Sequence, residues 1–156
     1  MAQWTVDVPT EHNQEIVLLE VGDMLCGIDL RRIQEINKQV DITTVHHAPS
    51  YVRGVVNLRG QIVTVIDMRS KFGLPPLALN EEQRIVVVHW EGENIGLLVD
   101  KVRDIAVTDA RVILNPPANV QGINGAFFAG IYPLDKGLVA LLRLSELLEP
   151  GVLTMA

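Results

Sequence analysis

Apolar residues in this chain come in short, β-branched runs. Ile16-Val17-Leu18-Leu19, Ile62-Val63-Thr64-Val65-Ile66, Ile85-Val86-Val87-Val88 and Leu138-Val139-Ala140-Leu141-Leu142 each have the length and residue choice of a strand. The chain holds 21 Val and 13 Ile but only five Phe and Tyr together. Branched side chains suit a pleated, half-buried surface, so the bias is toward sheet.

Turn residues separate the runs at hairpin spacing. Gly22-Asp23 divides strand Glu15–Val21 from Met24–Ile28, Arg59-Gly60 divides Val52–Leu58 from Gln61–Ile66, and Glu91-Gly92-Glu93-Asn94 divides Arg84–Trp90 from Ile95–Val99. Neighbouring strands should therefore be antiparallel. Helical pattern is sparse. Leu30–Ile36, with apolar residues at 30, 33 and 36 behind a capping Asp29, reads as a short helix. Asp67 reads as the cap of a turn through Phe72 that ends at Gly73, and Ser145–Leu148 as one turn stopped by Pro150. None is long enough to cross over a parallel sheet. The expected class is mainly β, as small barrels with short helices.

An internal echo supports two similar units. Gly27–Ile36 aligns with Gly96–Ile105 at a shift of 69, keeping the glycine, the β-branched residue, the acid and the final Ile. Tyr51–Val55 aligns with Phe127–Ile131 at a shift of 76, and Gln61–Ile66 then answers Leu138–Arg143. Unequal shifts indicate a duplication with altered loops rather than a solenoid. A seam between two units is a natural place for a partner.

Charge and cysteine usage narrow the function. The 156 residues carry 13 basic and 19 acidic side chains, net −6, with −2 before residue 79 and −4 after it. No basic face is available for a phosphate backbone, so nucleic acid is not an expected partner. Cys26, the single cysteine, excludes an internal disulfide and suits a reducing compartment. No run is long enough to cross a membrane, and Met1–Asp7 lacks the basic start and apolar stretch of a signal peptide. A soluble cytoplasmic protein without direct membrane insertion is expected.

Catalytic chemistry has little behind it. Gly122-Ile123-Asn124-Gly125 lacks the lysine and spacing of a phosphate loop, and His46-His47 before Pro49 have no acid or cysteine at ligand spacing. Ser50, Ser70 and Ser145 sit in no nucleophile elbow, Cys26 lies inside a strand, and Asp29 and Asp67 are explained by capping. No metal, cofactor or enzymatic activity is expected. Glu35 and the hairpin-tip Arg59 read equally as two solvated charges or as an orientation-fixing contact beside Ile33 and Ile36. Arginine outnumbers lysine nine to four, a usage that suits protein interfaces.

Taken together, Gly27-Ile28-Asp29-Leu30, Ile33-Gln34-Glu35-Ile36 and the run Pro49–Arg69, centred on Gly54-Val55-Val56-Asn57-Leu58-Arg59-Gly60, resemble the CheW-like chemotaxis coupling proteins. The likeness continues through Arg84–Val88 and Ile95–Asp100 to Ser145–Leu148. It implies two small SH3-like β-barrels, with strands that can be exchanged between them. It divides the chain into an N-terminal extension (1–13), a CheW-like domain (14–149, barrels near 14–83 and 84–149) and a tail (150–156).

The resemblance also implies a non-enzymatic adaptor. Its partners would be the regulatory domain of a CheA-type histidine kinase and the cytoplasmic tip of a methyl-accepting chemoreceptor, at membrane-associated arrays. Ile33, Glu35, Gly54 and Arg59 match positions tied to coupling and receptor contact, with Glu35 and Arg59 as the family's acid–arginine pair. Ile85, Val102 and Ile105 match apolar positions lining or backing the groove between barrels, although core packing accounts for each equally well.

This chain departs from the family pattern at Thr64, where Pro is common, at Arg143, where Asp is common, and across Asn119–Phe128. Those departures leave room for a non-flagellar system such as surface motility or biofilm signalling. An OB-like barrel binding a small ligand or nucleic acid is the rival from another class, disfavoured by acidity and few aromatics. A small hydrolase on a β scaffold is the other.

Overall fold

The structure is a computed structural model that describes residues 13–38, 41–135 and 137–148. Its first strands are β1 (Asn13–Val21), β2 (Met24–Asp29) and β3 (Ile33–Lys38), followed by β4 (Val52–Leu58), β5 (Gln61–Asp67) and the single turn α1 (Met68–Lys71). The second part holds β6 (Arg84–Trp90), β7 (Glu93–Val99) and β8 (Lys101–Asp109). The miniature hairpin β9 (Asn119–Val120) and β10 (Ile123–Asn124) comes next, then β11 (Phe128–Leu134), β12 (Gly137–Leu142) and α2 (Leu144–Leu147).

Two five-stranded sheets result. Barrel I has the order β11-β12-β2-β1-β8 and barrel II the order β3-β6-β7-β5-β4. Each sheet curls until its edges meet. In barrel II the chain beyond β3 bridges β4 through paired 2.8 Å hydrogen bonds between Thr43 and Val55; in barrel I Leu114 and Ile131 do the same.

Strand exchange is complete. Barrel II is the continuous stretch from β3 to β7, whereas barrel I joins β1 and β2 to the later β8, β11 and β12. A boundary at residue 83/84 would therefore cut barrel II in half. The chain passes between sheets at Leu30–Arg32, one 3-10 turn, and at Asp100. The helix expected over Leu30–Ile36 is only that turn. Asp29 does accept from the Arg31 N–H at 2.9 Å, but Ile33 then pairs with Val88 and the segment continues as edge strand β3. Pairing with β6 outweighs a weak three-residue helical pattern. The turns at Asp67–Phe72 and near Ser145 form where expected.

The duplication is visible in the backbone. β3 and β8 are bulged at Ile33/Glu35 and between Val102 and Ile105, while β4 and β11 are bulged at Val52/Gly54 and Phe128/Gly130. Each barrel has one parallel pair, Val65 opposite Gly96 and Leu141 opposite Gly27. These registers make Glu35 equivalent to Asp104, Ile36 to Ile105, and the Arg59 turn to the Asp135 turn; Ile62 falls on Leu138, one residue away from the match of Gln61 with Leu138 read from the sequence, because β5 and β12 keep the same hairpin spacing as β4 and β11.

The apolar runs are continuous because their strands are buried on both faces. Alternate residues of β6, Ile85 and Val87, fill barrel II, while Val86 and Val88 face the other way. On β1, Ile16 and Leu18 fill barrel I, while Val17, Leu19 and Val21 join Val86 and Val88 in a core shared by both barrels. Each such side chain stabilises the fold by about 1.5–3 kcal/mol. Phe72, Phe127 and Phe128 pack together against this shared core, with centroids 5.6–5.8 Å apart.

Candidate protein-interaction site

Two segments distant in sequence build the acid–arginine pair. The β4–β5 hairpin turns at Arg59 (φ 53°) and Gly60 (φ 85°), and Asn57 Oδ1 holds the turn by accepting from the Gly60 N–H at 2.9 Å. Arg59 donates from its guanidinium to Glu35 Oε1 on β3, at the opposite edge of the sheet. The glutamate side chain is 26% exposed and the arginine 76%, so water screens the pair and its worth to stability is about 0–1 kcal/mol. What it does is fix the direction of an exposed cation beside the half-exposed Ile36 and Ile62.

Gly54 lies in the β4 bulge with φ +149°, where a Cβ would stand 2.1 Å from the Thr43 carbonyl oxygen. It admits the close approach that lets the barrel shut. Ile33 and Val102 are equivalents on β3 and β8, both half-buried against the shared core. For Ile85 the structure shows core packing: it is 0% exposed within the interior of barrel II and lines no surface groove. The β6 alternation forces it there, since Val86 and Val88 already take the seam-facing side. Ile105 is 53% exposed, on an open groove at the mouth of barrel I.

The structure thus joins Glu35 with Arg59, and places Gly54, the Ile33/Val102 pair, Ile85 and Ile105 in separate roles. Three further features were not singled out from sequence. Asp100, at the second crossover, accepts from Arg69 Nε at 3.0 Å and from the Gly22 N–H at 2.8 Å, tying α1 and the β1–β2 turn together. Hydrogen bonding to Asp100 raises the Arg69 pKa further. A recess of about 200 Å³ at the seam is lined by Ile28, Arg32, Trp90 and Arg143, with the Arg32 guanidinium 5.2 Å from the Trp90 ring centre. The groove at barrel I is the third. The sequence echo already aligned Glu35 with Asp104, and following it to Asp135 would have exposed the missing arginine there.

Among the described residues no cluster of His, Cys, Asp or Glu is arranged to hold a metal, and no helix is long and apolar enough to cross a membrane. Cys26 is buried in the shared core, where burial, with a smaller contribution from Asp100, pushes its thiol up to about 12. At neutral pH it is a protonated packing residue rather than a nucleophile.

Comparison with known proteins gives one consistent answer. A family model described as the CheW-like domain matches residues 15–150. A probable chemotaxis protein CheW of Rhizobium etli is 29% identical over 135 residues, covering 86% of this chain and 87% of that protein. The chemotaxis protein CheW of Helicobacter pylori is 31% identical over 142 residues, covering 89% and 86%. In three dimensions, the scaffolding protein CheW of Thermoanaerobacter tengcongensis superposes with a TM-score of 0.82 at 32% identity, covering 91% of this chain and 92% of that one. A whole-domain sequence match together with a shared two-sheet architecture shows that this chain belongs to the CheW-like family.

Proposed function

We propose that this protein is a non-enzymatic adaptor coupling chemoreceptor tips to the regulatory domain of a CheA-type histidine kinase, at membrane-associated arrays reached through those partners. The carrying observation is that the CheW-like match spans residues 15–150, from the start of barrel I to the close of its last helix. The architecture supports the reading. One core shared by two strand-exchanged barrels makes a rigid body, so a displacement imposed at the seam reaches both ends without being absorbed by a linker.

In this reading the receptor's helical hairpin lies along the seam, where Ile33 and Val102 back the core. The kinase domain meets the end of barrel II carrying Glu35 and Arg59. Gly54 admits the Thr43–Val55 closure further along β4, Ile85 supports barrel II from inside, and Ile105 belongs to barrel I.

The test is a pull-down of purified protein against the kinase regulatory domain and a receptor signalling-tip fragment. Arg59→Glu should retain its fold by circular dichroism and lose about tenfold or more in kinase affinity, the scale of a charge reversal in a contact. Unchanged kinase binding by that variant would displace the assigned contact, and binding of neither partner by the native protein would overturn the adaptor reading.

A further inference from the structure

Most arginines of this chain already have a partner. Arg31, Arg53, Arg59, Arg69, Arg103 and Arg111 each lie within ion-pair distance of a carboxylate. Arg84 donates to the Glu81 and Gln83 carbonyls. Among the described residues Arg32 and Arg143 have no carboxylate partner, and both line the recess of about 200 Å³ at the seam. Two exposed, unpaired cations therefore share one small cavity in a chain of net −6.

The walls between them are apolar. Ile28, Leu142 and Leu144 line the recess and are buried, so little water competes at its floor. Asp29, the carboxylate of the same lining, is held by Arg31 at 2.8 Å and by Gln14 at 3.1 Å. The Arg32 guanidinium lies over the Trp90 ring, which fixes its plane and leaves its N–H edges able to donate. Arg32 directly precedes Ile33, which packs against the shared core.

Arg143 is not what local folding asks for. The parallel pairs make it equivalent to Asp67, since Leu141 faces Gly27 as Val65 faces Gly96. Asp67 caps α1, accepting from the Arg69 and Ser70 N–H groups at 3.0 and 3.3 Å. Arg143 stands at the same cap of α2 and supplies no side-chain hydrogen bond to it. A cation replaces an acceptor there, and what it gains is a place beside Arg32.

We propose that this recess holds an acidic side chain of the receptor's helical hairpin, its carboxylate bound between the Arg32 and Arg143 guanidiniums. The inference rests on the adaptor reading and names the chemistry by which the seam selects its receptor. The volume suits a single side chain and is below that of a cofactor or nucleotide site. Because the chain is acidic overall, an acid on the hairpin is attracted here and repelled elsewhere, so the recess sets the hairpin's register.

Calorimetric titration of the full chain with a receptor-tip fragment, and separately with the kinase regulatory domain, tests it. Arg143→Asp should lose about tenfold or more in receptor affinity and keep kinase affinity within about twofold. The same variant should melt at the native temperature or about 2–4 °C higher, because the new carboxylate caps α2 as Asp67 caps α1. Arg32→Gln should also weaken receptor binding, independently of the cap.

Lysine placed in turn at each acidic position of the receptor fragment identifies the partner. One replacement should bind the native protein poorly and Arg143→Asp better. Native-like receptor binding by both variants, a loss that falls on the kinase domain instead, or no replacement that distinguishes the two proteins would each overturn the proposal while leaving the adaptor reading in place. A native protein that binds neither partner would overturn both.

Discussion

Barrel I and barrel II share their strand register, bulges and parallel pairing, and differ in how their mouths are finished. Barrel II is crossed by an ion pair and lined with amides; barrel I is open, apolar and rimmed by acids. The comparison teaches where a duplicated fold is constrained. Interior positions hold the same kind of residue in both copies, as with Ile16 and Ile85 or Gly27 and Gly96, because both cores must close at the same strand spacing. Mouth positions carry no such requirement, and there the copies have diverged in charge and polarity.

The largest effects should come from breaking the equivalence inside the barrels. Ile85→Ala and Ile16→Ala remove equivalent side chains that are 0% and 1% exposed, and each should cost about 2–5 kcal/mol in urea denaturation. Ile85→Ala should act through this loss of stability, with partner affinity preserved in the fraction that remains folded. A stable Ile85→Ala protein that loses partner binding would return Ile85 to the surface.

The bulge glycines should separate the two barrels. A Cβ at Gly54 would meet a backbone carbonyl at 2.1 Å, whereas at Gly130 its nearest neighbour, at 2.3 Å, is the Ile113 Cγ2 methyl, part of a side chain. Gly54→Ala should therefore cost about 2–4 kcal/mol by thermal melting, with Gly130→Ala the milder of the two. Equal losses would show that the two closures are equally rigid.

Thr64 offers a change in the other direction. Its hydroxyl is buried without a hydrogen-bond partner, and its equivalent in barrel I is Ala140. Thr64→Val should gain up to about 1 kcal/mol, because an unmet polar group is removed at nearly constant volume. A loss instead would mean that the hydroxyl has a partner in solution.

The smallest effect concerns Asp29, whose carboxyl is held below its usual value chiefly by the hydrogen bond from Arg31. A depressed carboxylate stabilises the fold above its unfolded pKa, near 4, and that contribution fades as pH falls through the lower folded value. Asp29→Asn should flatten the acid limb of a stability–pH profile by lowering the neutral plateau slightly while leaving stability at strongly acid pH nearly unchanged; an unaltered profile in pH-dependent urea denaturation would contradict it.

Much of this was legible in the chain. Hairpins at Gly22-Asp23, Arg59-Gly60 and Glu91-Gly92 carry their own turn chemistry, so most of the long strands could be located to within a residue or two. The pairing of Glu35 with Arg59 came through family likeness, since local pattern says nothing about two sheet edges meeting. The apolar spacing at 30, 33 and 36 fits a helix, and only pairing with the partner strand β6 makes the segment from Ile33 a strand. Strand exchange left no local trace either: the two crossovers are a three-residue turn and a single Asp100. For Ile85 the sequence leaves groove and core open for the same reason, as a run buried on both faces does not reveal which face meets which core.

The most direct test of the adaptor account is whether one molecule holds both partners at once. A sample containing the protein, the kinase regulatory domain and a receptor-tip fragment should sediment as a ternary complex, with each partner leaving the affinity for the other within about twofold, as expected for separate faces of a rigid body. Mutual displacement, with no ternary species at saturating concentrations of both, would contradict it.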